Sequence, residues 1–291
     1  MKFSDNKVLS ESQIEGIVEL ALIEDYASHD VTTAALIPAD QEGIAYFISE
    51  ECGILAGINV AYKVFHKLDP SLVIDGKVED GSEIRSGDVI ATIEGKISGM
   101  LSAERVALNF LQRLSGIATE TNRYVKAIYG LPVHILDTRK TTPGLRVLEK
   151  YAVRLGGGEN HRMDLSDSIL IKDNHLAALY HRGLNLHEII IKVRKNTSPN
   201  IKIEVEVTNP VEAEQAVEAG ADIIMLDNMN LEDMRHAVTL VHGRASIEAS
   251  GGITLDKVRS VAETGVNFIS IGALTHSVKS LDISLDLKPL S

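Results

Sequence analysis

From residue 133 onward the chain alternates short apolar runs with longer helical ones, and this rhythm restricts the fold more than any other feature. VHILD (133–137), SILIK (168–172), KIEVEV (202–207), DIIMLD (222–227), ASIEAS (245–250) and FISIG (268–272) read as strands. The segments 143–155, 175–196, 210–219, 230–242 and 255–264 between them read as helices. Strands joined through helices run parallel, because each crossover returns the chain to the same end of the sheet. Six such strands in about 140 residues suit a closed or nearly closed α/β barrel, with an open doubly wound sheet as the alternative. No GxGxxG follows the first strand and no GxxxxGK[ST] is present, which weakens dinucleotide and nucleoside triphosphate readings.

The first hundred residues have another texture. Ile14, Ile17, Val18 and Ala21 fall at helical spacing within 10–27, and Val60–Leu68 reads as a second helix. Between Ile44 and Gly99, short β-like runs are broken by glycine, with Asp-Gly and Ser-Gly turn signals marking hairpins over Gly76–Gly99. LSAERVALNFLQRLSGIA (101–118) is amphipathic, with Val106, Phe110 and Leu114 on one stripe and Ser102 as the expected N-cap. These patterns divide the chain into an α+β domain over 1–112 and a barrel over 113–274.

Charge narrows the partners. The net charge of −12 argues against a nucleic-acid binder. No apolar stretch approaches the roughly 18 residues of a membrane span, and MKFSDNKVLS has no apolar run resembling a secretory signal. One cysteine, Cys52, rules out an internal disulfide framework and a cysteine-based zinc cluster. The expectation is a soluble cytoplasmic chain. Residues 137–172 nevertheless carry seven Lys/Arg against five Asp/Glu, while the rest carries 22 against 36. A locally cationic segment in an acidic protein suggests a small anionic ligand, or else a solvated helix.

Barrel enzymes place their chemistry at the C-terminal ends of the strands. Here those ends read Asp137-Thr138-Arg139-Lys140, Lys172-Asp173-Asn174-His175, Glu206, Asp227-Asn228, Ser250-Gly251-Gly252 and Gly272. Strand parity sends Ile203, Val205 and Val207 toward the helices and Glu204 and Glu206 into the barrel, and puts Asp227 on one face with Ile223 and Met225. Charges withdrawn from water cost several kcal/mol unless paired. Glu206 and Asp227 therefore imply a neighbouring Lys or Arg, of which Lys172 is one choice, or a divalent cation. Glycines closing the last two strands let backbone N–H groups approach a phosphate, although tight turns alone also use them. Gly156-Gly157-Gly158 should let Asn160, His161 and Arg162 turn inward.

Taken together, DTRKTTPGLRVLEKYAVRLGGGENHRMDLSDSILIKDNH, EVEVTN, DIIMLDNM, SGGI and GVNFISIGALTHSVKSLDISLDL resemble the quinolinate phosphoribosyltransferases, and ERVALNFLQRLSGIAT is similar to that family's long helix. The likeness runs from Glu24 to Leu287. His29 departs from it, standing where glycine usually precedes Asp30, as does Asn267, where aspartate is usual. The resemblance implies transfer of phosphoribose from phosphoribosyl pyrophosphate to quinolinate, releasing pyrophosphate and CO2 and leaving nicotinate mononucleotide, with Mg2+. It implies an α+β N-terminal domain plus an incomplete parallel α/β barrel, a tail (275–291) that returns to the first domain, and a homodimer or higher oligomer. Thr138, Arg139, His161, Arg162 and Lys172 would hold the acceptor, helped by Arg105 from a neighbouring subunit. Lys140 would meet the pyrophosphate and act with Lys172 in catalysis. Glu206 and Asp227 would serve the metal and the ribose. Glu248, Ser250, Gly251, Gly252, Ser270, Gly272 and His276 would form the phosphate site.

Three other readings remain, one of them a non-catalytic phosphosugar-binding barrel, which would not explain paired inward carboxylates. A Schiff-base aldolase would use Lys172 or Lys140 as nucleophile. A paralogous phosphoribosyltransferase linked to molybdenum uptake shares the TRKTTPG and GGG…HR elements. ILIKDNH, with Lys172 at the strand end, favours the quinolinate enzyme.

Overall fold

The computed structural model describes residues 11–290. Met1–Ser10, read above as having no apolar run, and Ser291, the last residue of the expected tail, lie outside the described residues. In chain order the elements are α1 (Glu11–Glu24), α2 (Val31–Leu36), β1 (Glu42–Ser49), β2 (Gly53–Ile54), α3 (Ile58–Leu68), β3 (Val73–Gly76), β4 (Glu83–Ile84), β5 (Val89–Lys96) and α4 (Ile97–Ala127). Then follow β6 (His134–Leu136), α5 (Arg146–Leu155), β7 (Ile169–Ile171), α6 (Asp173–Tyr180), α7 (Leu186–Asn196), β8 (Ile203–Val207), α8 (Pro210–Glu218) and β9 (Ile223–Asp227). The last are α9 (Leu231–Val241), β10 (Ser246–Ser250), α10 (Val258–Ala262), β11 (Phe268–Ser270), α11 (Ala273–His276) and β12 (Ile283–Pro289).

Two compact units emerge. Among the described residues, one gathers 11–122, 141–157 and 273–290, and the other 123–140 and 158–272. The 112/113 boundary read from sequence falls inside α4, which runs unbroken past it.

The first unit contains an antiparallel sheet in the order β12-β1-β5-β3. β1 alternates buried and half-buried residues, as a strand with one covered face should. Phe47 meets Phe65 of α3 edge-on, ring centroids 5.8 Å apart. α4 buries Val106, Phe110, Leu111, Leu114 and Ile117, the stripe read from spacing. It begins five residues before the expected cap, so Ser102 lies within the helix and donates to Asp30 Oδ2 at 3.2 Å. Asp30 is the true cap of a helix: it accepts from the backbone N–H groups of Thr32 and Thr33 at the start of α2. His29, just before it, does not have a positive φ, so its backbone there needs no glycine.

Close approach shapes the tail. Gly116 packs so tightly on the backbone of Lys279 and Ser280 that a Cβ would collide with the Lys279 carbonyl. Leu281 N–H donates to the Gln112 carbonyl at 3.0 Å, and Gln112 Nε2 donates to the Ile283 carbonyl at 2.7 Å. β12 then pairs antiparallel with β1, Phe47 opposite Leu285.

The second unit holds a six-stranded parallel sheet in the order β6-β11-β10-β9-β8-β7. From β7 to β11 sequential strands are neighbours, and β11 lies beside β6. That order is a barrel left open between β6 and β7; a doubly wound sheet would reverse about a switch point. Outward residues such as Ile203, Val205, Ile224 and Leu226 are buried, as are Ala213 and Ala216 of α8 and Met234 and Ala237 of α9. The expected helix 175–196 is instead two. Gly183, at φ 80°, ends the first, and Asn185 caps the second by accepting from Glu188 N–H. Asn267 accepts from Ile247 N–H through its side-chain carbonyl, so the departure from aspartate keeps an acceptor there.

Gly116→Ala is expected to lower stability by about 1–3 kcal/mol in urea unfolding, because the clash is with backbone. Gly16→Ala, exposed in α1 with nothing near its Cβ position, should raise stability by roughly 0.5–1 kcal/mol.

Candidate active site

Parity and shear place the polar residues of the second unit. Glu206 pairs in register with Met225, and Met225 with Glu248, so these three neighbours share the inner face. A pocket of about 370 Å³ opens at the strand ends. It is lined by Thr138, Arg139, Lys140, His161, Arg162, Leu170, Lys172, Glu206, Met225, Asp227, Glu248, Ser250 and Ser270. All but Leu170 and Met225 were expected from sequence as site residues. These two apolar side chains occupy inward strand positions, which parity marks, but an apolar residue in a strand carries no further signal of a site.

The remaining expected residues are not in this lining. Gly251 and Gly252 form the turn after β10, with φ of 97° and 61°. The Asn228 side chain occupies the space a Gly251 Cβ would need. Gly272 follows β11. Arg105 and His276 belong to the other unit. Arg105 is exposed on α4, 3.8 Å from Glu104. His276 ends α11, its Nδ1 2.6 Å from Ser277 Oγ.

Cations dominate one wall. Arg162 is buried and donates through Nη1 to the Ser168 carbonyl at 2.9 Å. Burial, and then the neighbouring Arg139 guanidinium, pull its pKa below the usual value. Lys140 is exposed, its backbone N–H held by Thr138 Oγ1 at 3.0 Å. Lys172 Nζ lies 3.4 Å from Glu206 Oε2. Burial raises the Glu206 pKa; Lys172 opposes this, and Asp227 and Asp173 add to it. Asp227 accepts from Asn228 Nδ2 at 2.9 Å. Glu206 and Asp227 thus present hard oxygen donors to an open pocket and repel one another. That donor set fits Mg2+, which is held by one or two carboxylates and completes its shell with water and substrate phosphate.

Beneath this wall lies a buried acidic layer. Asp137, Glu204 and Glu248 are all buried. Asp137 accepts from His161 N–H at 2.9 Å and from Asn160 Nδ2 at 2.5 Å. Glu204 and Glu248 face His161 Nε2, at 3.1 and 3.7 Å. Burial is the main cause that pushes both glutamates up to about 8, and Glu204 pushes Glu248 further. The sequence reading put Glu248 with the phosphate set. This residue lines the same pocket as Ser250 and Ser270, with its carboxylate buried and 3.7 Å from His161 Nε2.

An inward cluster of cations with two carboxylates at adjacent strand ends of an open-sided barrel defines an enzyme site for polyanionic substrates. The models for the quinolinate phosphoribosyl transferase N-terminal and C-terminal domains match residues 30–115 and 117–286, and the chain belongs to that family. A probable nicotinate-nucleotide pyrophosphorylase [carboxylating] of Bacillus subtilis is 43% identical, over 94% of this chain and 93% of its own length. The mitochondrial quinolinate phosphoribosyltransferase [decarboxylating] 2a of Nicotiana tabacum is 42% identical, over 94% of this chain and 82% of its own length. The crystal structure of NadC from Streptococcus pyogenes, 42% identical, superposes with a TM-score of 0.93 and covers 98% of this chain and 100% of that one. Human nicotinic acid phosphoribosyltransferase, at 13% identity and TM-score 0.60, shares the fold.

The buried glutamates set a stability trend. A carboxyl whose folded pKa is raised favours folding at low pH and loses that contribution as pH rises from its unfolded value, roughly 4.5, through about 8. Glu248→Gln removes one such group, so the difference in unfolding free energy between pH 5.5 and 8.5 should shrink relative to wild type in urea titrations. An unchanged difference would mean that Glu248 keeps an ordinary pKa.

Proposed function

We propose that the pocket binds quinolinate and phosphoribosyl pyrophosphate together and transfers phosphoribose to the pyridine nitrogen with loss of CO2, leaving nicotinate mononucleotide and pyrophosphate. One observation carries the reading: Arg139, Lys140, Arg162 and Lys172 converge on a single pocket of a protein whose net charge is −12. Family membership supports it and sets the aldolase reading aside. Lys172, paired with Glu206, is also not the isolated, desolvated amine that Schiff-base chemistry favours.

Each residue then has a task. Arg139 and Arg162 suit the two acceptor carboxylates by bidentate pairing, with Lys172 as a third charge and Thr138 at the rim. Lys140, exposed at the pocket mouth, meets the pyrophosphate. Ser250, Ser270 and the turn Gly251-Gly252 offer hydroxyl and backbone donors to the 5′-phosphate, with Gly272 and His276 expected beside them. Glu206 and Asp227 would hold Mg2+ and the ribose hydroxyls. The ion's contribution when bound is to neutralise charge on the pyrophosphate. As the bond to pyrophosphate lengthens, positive charge builds on the ribose and the same two carboxylates stabilise it. Once the nitrogen is substituted, the pyridinium ring accepts the electrons of the breaking C–CO2 bond. Binding and charge placement then account for most of the catalysis.

The proposal includes a cytoplasmic location, no nucleic-acid or membrane partner, and a homodimer or higher oligomer. No helix of the described residues is long and apolar enough to cross a membrane. Leu20, Ile23, Tyr26, Val31 and Leu36 are all exposed within one short stretch of the first unit, an apolar surface suited to a second copy.

Incubation with quinolinate, phosphoribosyl pyrophosphate and Mg2+ should yield nicotinate mononucleotide and CO2. Nicotinate in place of quinolinate should reduce kcat/KM by at least about 100-fold, since a second carboxylate meeting a buried cation contributes on the order of 3 kcal/mol. Equal turnover of the two would reject the dicarboxylate assignment. Asp227→Ala should slow turnover and leave quinolinate binding, followed calorimetrically, largely intact.

Arg105 tests the oligomer. If it reaches a neighbour's acceptor site, inactive Arg105→Ala and Lys172→Ala subunits allowed to exchange will recover roughly a quarter of wild-type activity, because half of random dimers are mixed and each has one intact site. No recovery despite demonstrated exchange would confine Arg105 to its own chain.

A further inference from the structure

His161 was expected from sequence as one of the cations facing the acceptor, and its surroundings give it another task. The Arg162 backbone N–H, an obligate donor, points at His161 Nδ1 at 2.8 Å. A nitrogen that accepts this bond carries no proton, so the ring proton sits on Nε2. Nε2 faces two carboxylates, Glu204 at 3.1 Å and Glu248 at 3.7 Å. Both glutamates are more than nine-tenths buried, and Ser270 also lies within hydrogen-bonding reach of Glu248. They stand on β8 and β10, which are separated by β9. The imidazole therefore bridges two non-adjacent strands with one edge and holds the Arg162 backbone with the other.

We propose that Glu204 and Glu248 are positioning residues: they share the Nε2–H of a neutral His161, and through that ring they set the place from which Arg162 reaches the acceptor carboxylate. Asp137 holds the same segment from the other side, through His161 N–H and Asn160. Arg162 is pinned at both ends, by the His161 ring at its backbone and by the Ser168 carbonyl at its guanidinium. An arginine fixed in this way meets a planar carboxylate without first losing side-chain freedom, which is where preorganisation contributes affinity. The ring acts as a spacer of defined hydrogen-bond polarity, accepting on one side and donating on the other.

This inference rests on the quinolinate reading, and two measurements keep the two apart. The first needs no activity. Nitrogen-15 spectra of the free protein at pH 7.5, with the His161 signals identified by their loss in His161→Gln, should show one protonated and one bare ring nitrogen, the bare one being Nδ1. Two protonated nitrogens, or a proton on Nδ1, would overturn the clamp. So would a stoichiometric transition metal retained on His161, Glu204 and Glu248 after dialysis, since those three atoms also lie close enough to share an ion.

The second is kinetic. Glu204→Leu should raise the KM for quinolinate roughly tenfold or more, with the KM for phosphoribosyl pyrophosphate and kcat each within about threefold of wild type. Glu204→Gln, which keeps an acceptor oxygen for Nε2–H, should recover most of that loss. A folded Glu204→Leu enzyme with unchanged quinolinate KM, or one in which both substrates weaken equally, would remove the positioning role. Should wild type fail to use quinolinate at all, the functional reading falls, while the ring spectra still decide the clamp.

Discussion

The interior of the parallel sheet withdraws Asp137, Glu204 and Glu248 from water, and most of the site follows from how that is tolerated. Uncompensated, each charge would cost several kcal/mol. Asp137 is compensated by donors from the segment after the glycine run. The two glutamates are relieved by proton uptake and by the imidazole between them. Arg139 and Arg162 line the same pocket, and Glu204, to the extent that it is ionised, partly offsets the crowding of charge at Arg162. The cations are thereby held close together in the free protein, ready for an anion.

A division of labour along the inward face results. Deep positions carry groups that cannot reach solvent and act by holding others. Positions at the strand ends, Lys172, Glu206 and Asp227, remain accessible, and their charges meet substrate or ion. The two classes have the same residue types and alternate along the same strands: Glu204 is buried, whereas Glu206, two residues on, lines the open pocket. Depth in the sheet separates them.

In the first unit a different constraint operates. The tail is seated by backbone contact, with Gly116 giving up its side chain to let Lys279 approach and Gln112 bonding on both sides of the turn into β12. Both departures from the family pattern are absorbed locally. His29 occupies ordinary backbone, and Asn267 keeps the acceptor oxygen that its neighbour needs.

Much of this was legible beforehand. The strand–helix rhythm announced the parallel sheet, period-two alternation pointed Glu204 and Glu206 inward, and the TRKTTPG and GGGENHR segments marked the cationic wall, because these signals lie within a few residues of each other along the chain. Helix limits were less legible: Ser102 looks like a cap, but the helix starts directly from β5, and Gly183 splits what spacing alone joins. The sequence by itself determined which residues are charged, which face of each strand they occupy and which family they belong to. Only the tertiary structure decided that Glu204 and Glu248 both lie against His161. The physical reason is that burial and hydrogen-bond direction depend on groups brought together across strands 40 or more residues apart, and no local pattern in the chain encodes that meeting.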